Sequence, residues 1–171
     1  VSRHLDEAEA CAEELRHAGG TAKGHAGDVT KLGDMQGMAD AAVTAHGGID
    51  ILCANAGIYP QTKIEDLSSE DWDHVMATTL RGPFLPIKAC LPHLKKSGDG
   101  HVVNTSSLFG LLASPTQGTY NSSKFAVRGF TEALRQELDI ENCGVSATCV
   151  HPGGIRTNIA RAAKMDHSMS A

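Results

Sequence analysis

Apolar positions follow two rhythms along the chain. Leu32, Met35, Met38, Ala39, Ala42 and Val43 recur at helical spacing, which predicts a helix from Leu32 to Ala45, closed by Gly47-Gly48. Asp6 to Arg16, rich in Ala, Glu and Leu and followed by Gly19-Gly20, predicts a helix before it. Between the two, Ala22 to His25 reads as a short extended stretch leading into Gly27-Asp28-Val29. Ile49 to Ala54 is a compact apolar run ending in Asn55-Ala56-Gly57. A long helical region opens at Ser68-Ser69, where either serine can cap it and Glu70 and Asp71 suit the positive end of the dipole. It runs to about Lys96, with an interruption predicted near Gly82-Pro83. Gly98-Asp99-Gly100 then forms a turn, His101 to Ser106 a strand, Tyr120 to Leu138 a helix, and Val145 to Val150 the last strand, before His151-Pro152-Gly153-Gly154.

Strands that alternate with helices imply right-handed crossovers and a parallel sheet. The strands are short and nearly continuous in apolar residues, the pattern of strands covered by helices on both faces. The expected fold class is therefore α/β, a doubly wound parallel sheet of Rossmann-like type, in one domain over residues 1–171.

Composition narrows the functional classes. Of 171 residues, 41% are hydrophobic and 20% charged, which excludes a disordered or fibrous chain. The net charge is -5 without a basic stripe, so no nucleic-acid partner is expected. The longest apolar run, Ile51 to Ala54, is too short to cross a membrane. No signal peptide is readable, and the five cysteines form no CxxC pair; both suit a cytoplasmic protein. The nine histidines form no ligand cluster, so no metal site is expected.

In an open parallel sheet, ligands bind beyond the carboxyl ends of the strands. The four expected strands lead, in turn, into Asp28-Val29, Asn55-Ala56-Gly57, Ser106-Ser107 and Pro152-Gly153-Gly154. Small and polar residues thus gather at one edge. Tyr120 and Lys124, four apart, share a helix face. An ammonium beside a phenol favours the phenolate, so the Tyr120 pKa is expected to fall and the phenol to exchange a proton with a substrate oxygen.

Taken together, these residues resemble the short-chain dehydrogenase/reductase family. The matching string is Asp28-Val29, Asn55-Ala56-Gly57, Ser107, Tyr120-Asn121-Ser122-Ser123-Lys124 and Pro152-Gly153-Gly154-Ile155-Arg156-Thr157, with Tyr120 thirteen positions after Ser107. The resemblance implies hydride transfer between a nicotinamide cofactor and a carbonyl or secondary alcohol. Tyr120 would be the general acid/base, and Lys124 would tune it and hold the nicotinamide ribose. Ser107, rather than its neighbour Ser106, would polarise the substrate oxygen. Asp28 and Val29 would contact the adenine, and Asn55, Ala56 and Gly57 would line the adenosine side. Pro152, Gly153, Ile155 and Thr157 would form the loop over the nicotinamide. Arg3 stands where NAD-preferring members often carry an acid, and its guanidinium suits a 2′-phosphate. NADP(H) is therefore favoured, with NAD(H) possible. Related enzymes pair through their two long helices into dimers and tetramers, so a homo-oligomer is expected. Phe125, Val127, Phe130, Leu134 and Leu138 could serve either core or interface.

The pattern departs from the family in two ways. Thr79 stands where the family usually has an asparagine that supports a water-linked proton path. The family's glycine-rich pyrophosphate turn, GxxxGxG, would precede Val1, and its substrate-pocket segment would follow Thr157. The chain therefore reads as the middle of a longer enzyme, incomplete at both ends, and is expected to bind cofactor poorly alone. The runner-up is a non-catalytic member that keeps the fold for binding. A third reading is the same fold turned to epimerase or dehydratase chemistry. The substrate is not readable: Leu108, Phe109, Leu111 and Leu112 suit a pocket wall or core packing equally.

Overall fold

The computed structural model describes residues 1–155 and 159; Thr157 lies outside the described residues. Its regular elements run α1 (Leu5–His17), α2 (Leu32–His46), β1 (Ile51–Ala54), α3 (Ser69–Met76), α4 (Gly82–Ser97), β2 (Gly100–Thr105), α5 (Gly118–Glu141) and β3 (Val145–Val150). Local chemistry sets most boundaries. Asp6 and Glu7 open α1 while Arg16 and His17 close it, complementing the helix dipole. Gly47 and Gly98 end α2 and α4 at φ 87° and 81°, left-handed values that cost glycine nothing. The Ser68 hydroxyl accepts the Asp71 N–H at 3.0 Å, so Ser68 is the cap of α3.

The strands form one parallel sheet in the order β1-β2-β3. Leu52 pairs with Val102, and Val102 with Ala147. Because consecutive strands are neighbours in one direction, the right-handed crossovers place α4 and α5 on the same face. Burial alternates accordingly: Leu52, Ala54, Val102, Asn104, Val145 and Ala147 are buried, while Ile51, Cys53, Ser146 and Thr148 are exposed. The core joins the buried strand residues to Ala39 of α2, to Ile87, Cys90 and Leu94 of α4, and to Leu134 and Leu138 of α5. This is a parallel Rossmann-like sheet whose described part holds three strands.

Two expectations change. Ala22 to His25 is not a strand: only a parallel bridge between Ser2 and Ala26 forms there. The side chains of α1 take up the segment's backbone groups instead. Glu9 accepts the Gly24 N–H at 2.8 Å, and Arg16 donates to the Ala22 carbonyl at 2.9 Å. The interruption of the long helical region also falls earlier than predicted. Ala77–Arg81 winds as a π-turn between α3 and α4, and Pro83 sits in the first turn of α4. Proline cannot donate to the Thr79 carbonyl, so the turn before it opens to the wider winding.

One corner of the fold admits only glycine. Gly144 stands at φ 71°, and a Cβ there would collide with the Gly98 carbonyl. Gly144 in turn accepts the Gly100 N–H at 2.9 Å, which starts β2 beside β3. Gly144→Ala is expected to cost about 2 kcal/mol or more, read as a lower midpoint in urea denaturation.

Candidate active site

Parallel register brings the carboxyl ends of the three strands to one edge, since Ala54 pairs with Asn104 and Asn104 with Cys149. Asn55-Ala56-Gly57, Ser106-Ser107 and His151-Pro152 therefore emerge together. The loops are tied by backbone bonds. The Ser106 N–H donates to the Val150 carbonyl at 2.8 Å, and the Leu108 N–H to the Pro152 carbonyl at 2.9 Å. The first two turns of α5 arrive at the same edge carrying Tyr120 and Lys124.

A reciprocal pair of bonds fixes that arrival. The Lys124 ammonium donates to the Thr105 carbonyl at 2.7 Å, and the Ser106 hydroxyl donates to the Lys124 carbonyl at 2.8 Å. Gly110 lies so close that a Cβ would run into the Ser106 hydroxyl and come within 2.8 Å of the Lys124 carbonyl. Ser106 is thus committed to the scaffold. Ser107, 9% exposed, points the other way and lies beside the Tyr120 phenol.

Lys124 is 3% exposed, and burial lowers its pKa to about 8. Its ammonium stands 5.5 Å from the centroid of the Tyr120 ring. Tyr120 is also buried, and here the expectation reverses: its pKa is raised, not lowered. Burial is the largest cause, the Ser107 hydroxyl pulls the other way, and the neighbouring Tyr59 raises it further. Lys124 does not offset this because its ammonium is engaged with Thr105 and lies against the ring rather than at the hydroxyl.

Gly57 reaches the same place. A Cβ on it would lie 3.6 Å from the Lys124 nitrogen and 3.6 Å from a Thr79 methyl. Thr79 is fully buried on the π-turn, and its hydroxyl accepts the Ile58 N–H at 3.3 Å. Thr79 thus holds the loop after β1. Ile155 and Gly153 are exposed, linked by a 2.9 Å bond from the Ile155 N–H to the Gly153 carbonyl.

Arg3 and Asp28 occupy a separate, polar cleft of about 460 Å³, together with His25, Lys31 and Asp34. The Asp28 carboxylate accepts the Thr30 N–H at 2.9 Å and the Thr30 hydroxyl at 2.8 Å, which lowers its pKa; Lys31 and Arg3 add smaller contributions. Val29 packs its side chain against Gly82 at the start of α4. Ser107, Tyr120, Lys124 and Gly57 therefore converge, with the Pro152 loop bonded alongside, while Arg3 and Asp28 form a second group. Sequence reasoning missed Tyr59, whose ring meets that of Tyr120, and Gln117, whose amide donates to the Tyr59 hydroxyl. No sequence signal marks either, because they meet across 58 positions of the chain.

Comparison with known proteins identifies the family. The family model described as short chain dehydrogenase matches residues 1–168. The Mycobacterium tuberculosis protein SadH is 46% identical over 134 residues, 78% of this chain and 49% of that protein. The D-beta-hydroxybutyrate dehydrogenase of Rhizobium meliloti is 35% identical over 138 residues, 81% of this chain and 53% of that protein. A short chain dehydrogenase/reductase from Burkholderia phymatum, solved in complex with NAD, superposes with a TM-score of 0.88 at 32% identity, over 92% of this chain and 57% of that one. The chain spans about half the length of the curated relatives it matches. With the matched model extending over nearly every residue, and with Ser107, Tyr120 and Lys124 gathered at the sheet edge, the chain belongs to the short-chain dehydrogenase/reductase family.

Proposed function

We propose that this chain carries the catalytic groups of a nicotinamide-dependent oxidoreductase that interconverts a carbonyl and a secondary alcohol. The observation that carries this reading is the convergence of the Ser107 hydroxyl, the Tyr120 phenol and the Lys124 ammonium in one buried cluster beside Gly57. The relatives named as D-beta-hydroxybutyrate and 3-alpha-(or 20-beta)-hydroxysteroid dehydrogenases support a hydroxyl-bearing substrate class.

The residues fit a dinucleotide. The Lys124 ammonium spends one of its three donors on Thr105 and keeps the others for ribose hydroxyls. Gly57 lies flush beside it. The polar cleft offers Arg3 and Lys31 together with Asp28. When bound, the nicotinamide supplies or accepts the hydride. Ser107 donates to the substrate oxygen and orients it. Tyr120, whose proton burial holds more tightly than an ordinary phenol's, gives that proton to the oxygen as the carbonyl becomes an alcohol. In the reverse direction the tyrosinate takes the alcohol proton. The Arg3 guanidinium in the cleft supports NADP(H) over NAD(H), because a 2′-phosphate gains charge-assisted bonds from it. Five free cysteines, two of them exposed, accord with a reducing cytoplasmic setting.

A second reading, a member that binds without turning over, is favoured by Thr79. Its hydroxyl is engaged by Ile58, and it lacks the carboxamide of the family's asparagine.

The assembly we propose is a homo-oligomer, a dimer or tetramer. An apolar groove of about 680 Å³ runs between the π-turn, the start of α4 and α5, lined by Met76, Leu80, Phe84, Ala126 and Phe130. Val127, Leu134 and Leu138 are buried in this chain, whereas Phe125 is exposed and Phe130 lines the groove. Phe130→Glu is expected to shift sedimentation toward a smaller species; an unchanged mass would remove the groove as an interface.

Tyr120→Phe keeps the ring and removes the transferable proton. Turnover of ketones, followed by NADPH absorbance, is expected to fall about 10²- to 10⁴-fold. An inactive parent would favour the binding reading instead. Arg3→Ala is expected to weaken NADPH about tenfold and leave NADH nearly unchanged, as read by cofactor titration.

Lys124 also predicts a pH dependence of stability. Its folded pKa, about 8, lies below the usual lysine value of 10.5. Between those values the unfolded chain binds the extra proton, so this lysine's contribution to stability rises with pH. The difference in unfolding free energy between wild type and Lys124→Met is therefore expected to move in favour of wild type from pH 8 toward pH 10, as urea titrations at both values would show.

A further inference from the structure

Two aromatic side chains pack against the ring of Tyr120. Tyr59 lies on the loop after β1. Its ring meets that of Tyr120 edge-on, with centroids 4.7 Å apart and planes at 80°. Phe109 completes the group. Its ring runs parallel to Tyr59, at 6.5 Å and 9°, and nearly perpendicular to Tyr120, at 6.4 Å and 78°.

The loop that carries Tyr59 is fastened to the segment leading into α5. The Gln117 amide donates to the Tyr59 phenol oxygen. The Thr62 N–H donates to the Thr116 carbonyl at 2.8 Å, and Thr62 and Gln117 form a parallel bridge. Gln117 is 7% exposed, and its amide oxygen is buried with no hydrogen-bond partner. A buried amide with one half unpaired is costly to keep, so its visible yield is the fixed position of Tyr59.

That position has two physical consequences. The Tyr59 ring covers the Tyr120 ring, sets its angle and keeps water from it. Tyr59 and Phe109 are themselves only half-buried, and the segment that carries Phe109 also carries the exposed Leu108, Leu111 and Leu112. A rim of this kind, next to a proton donor, accommodates flat apolar matter and gives a charged group nothing to pair with.

We propose that the ring of Tyr59 positions Tyr120, and that with Phe109 it forms an aromatic wall selecting carbonyl or alcohol substrates that carry an aryl or flat apolar group. The substrate half rests on the oxidoreductase reading; the positioning half rests on the packing alone.

The chain contains two tyrosines, so Tyr59→Phe and Tyr59→Ala each leave Tyr120 as the sole phenol. The groups facing it are then Ser107, Lys124 and whatever occupies position 59. Phenolate absorbance is followed against pH in both variants. Phenylalanine keeps the cover, whereas alanine admits water, so the Tyr120 midpoint is expected to be lower in Tyr59→Ala by about half a unit or more. Equal midpoints overturn the positioning role. Tyr59→Leu, which fills the space without a ring, replaces the alanine variant if that fails to fold.

The wall is tested by kcat/KM for an aryl ketone against a small aliphatic ketone. The preference is expected to drop about tenfold in Tyr59→Ala and to persist in Tyr59→Phe. A parallel loss on both substrates, or no change, overturns the wall. If no form reduces any ketone, the oxidoreductase reading falls and the wall with it, while the phenolate titration still decides the positioning role.

Discussion

The two reciprocal bonds between the end of β2 and α5 are the constraint on which the site depends. Lys124 reaches down to the Thr105 carbonyl while Ser106 reaches up to the Lys124 carbonyl. Together they clamp the first turns of the helix to one strand end at a fixed rotation. Tyr120, one turn earlier, then has a single place to point. Ser107, one residue past Ser106 and so on the opposite side of the strand path, faces that place. Burying an ammonium is costly unless it is hydrogen-bonded, and the lowered Lys124 pKa records that cost. The same amine is thus both a structural tie and a charge 5.5 Å from the centroid of the Tyr120 ring.

Burial also explains why a purely local reading of Tyr120 and Lys124 fails. Helical spacing places the two side chains on one face, and that much is correct. Spacing says nothing of the medium, and a phenol enclosed by Tyr59 and Phe109 stays protonated more readily than one in water.

The fold was legible where periodicity and chain breakers agree. The helix beginning at Leu32, the strand over Ile51 to Ala54 and the strand over Val145 to Val150 emerge close to their expected limits. Ala22 to His25 misled because Glu9 and Arg16 capture its backbone groups, and that capture depends on tertiary placement of α1. Ser107, Tyr120 and Lys124 could be selected by spacing. Tyr59 and Gln117 could not, since they matter through a contact spanning 58 positions of the chain. The distinction between core and groove along α5 likewise required the packed structure, which buries Val127, Leu134 and Leu138 and leaves Phe125 out.

The π-turn at Ala77–Arg81 has a consequence for the long helical rod as a whole. One additional residue in a helix advances the azimuth of everything downstream by about 100°. In α3, Val75 is buried and the helix meets α5, whereas α4 buries Ile87, Cys90 and Leu94 in the core it shares with the sheet and α2. A rod of uniform winding would present one continuous stripe and could satisfy only one of these partners. The phase slip lets a single run of chain serve two, and it sets Thr79 at the hinge between them, under the loop that carries Gly57.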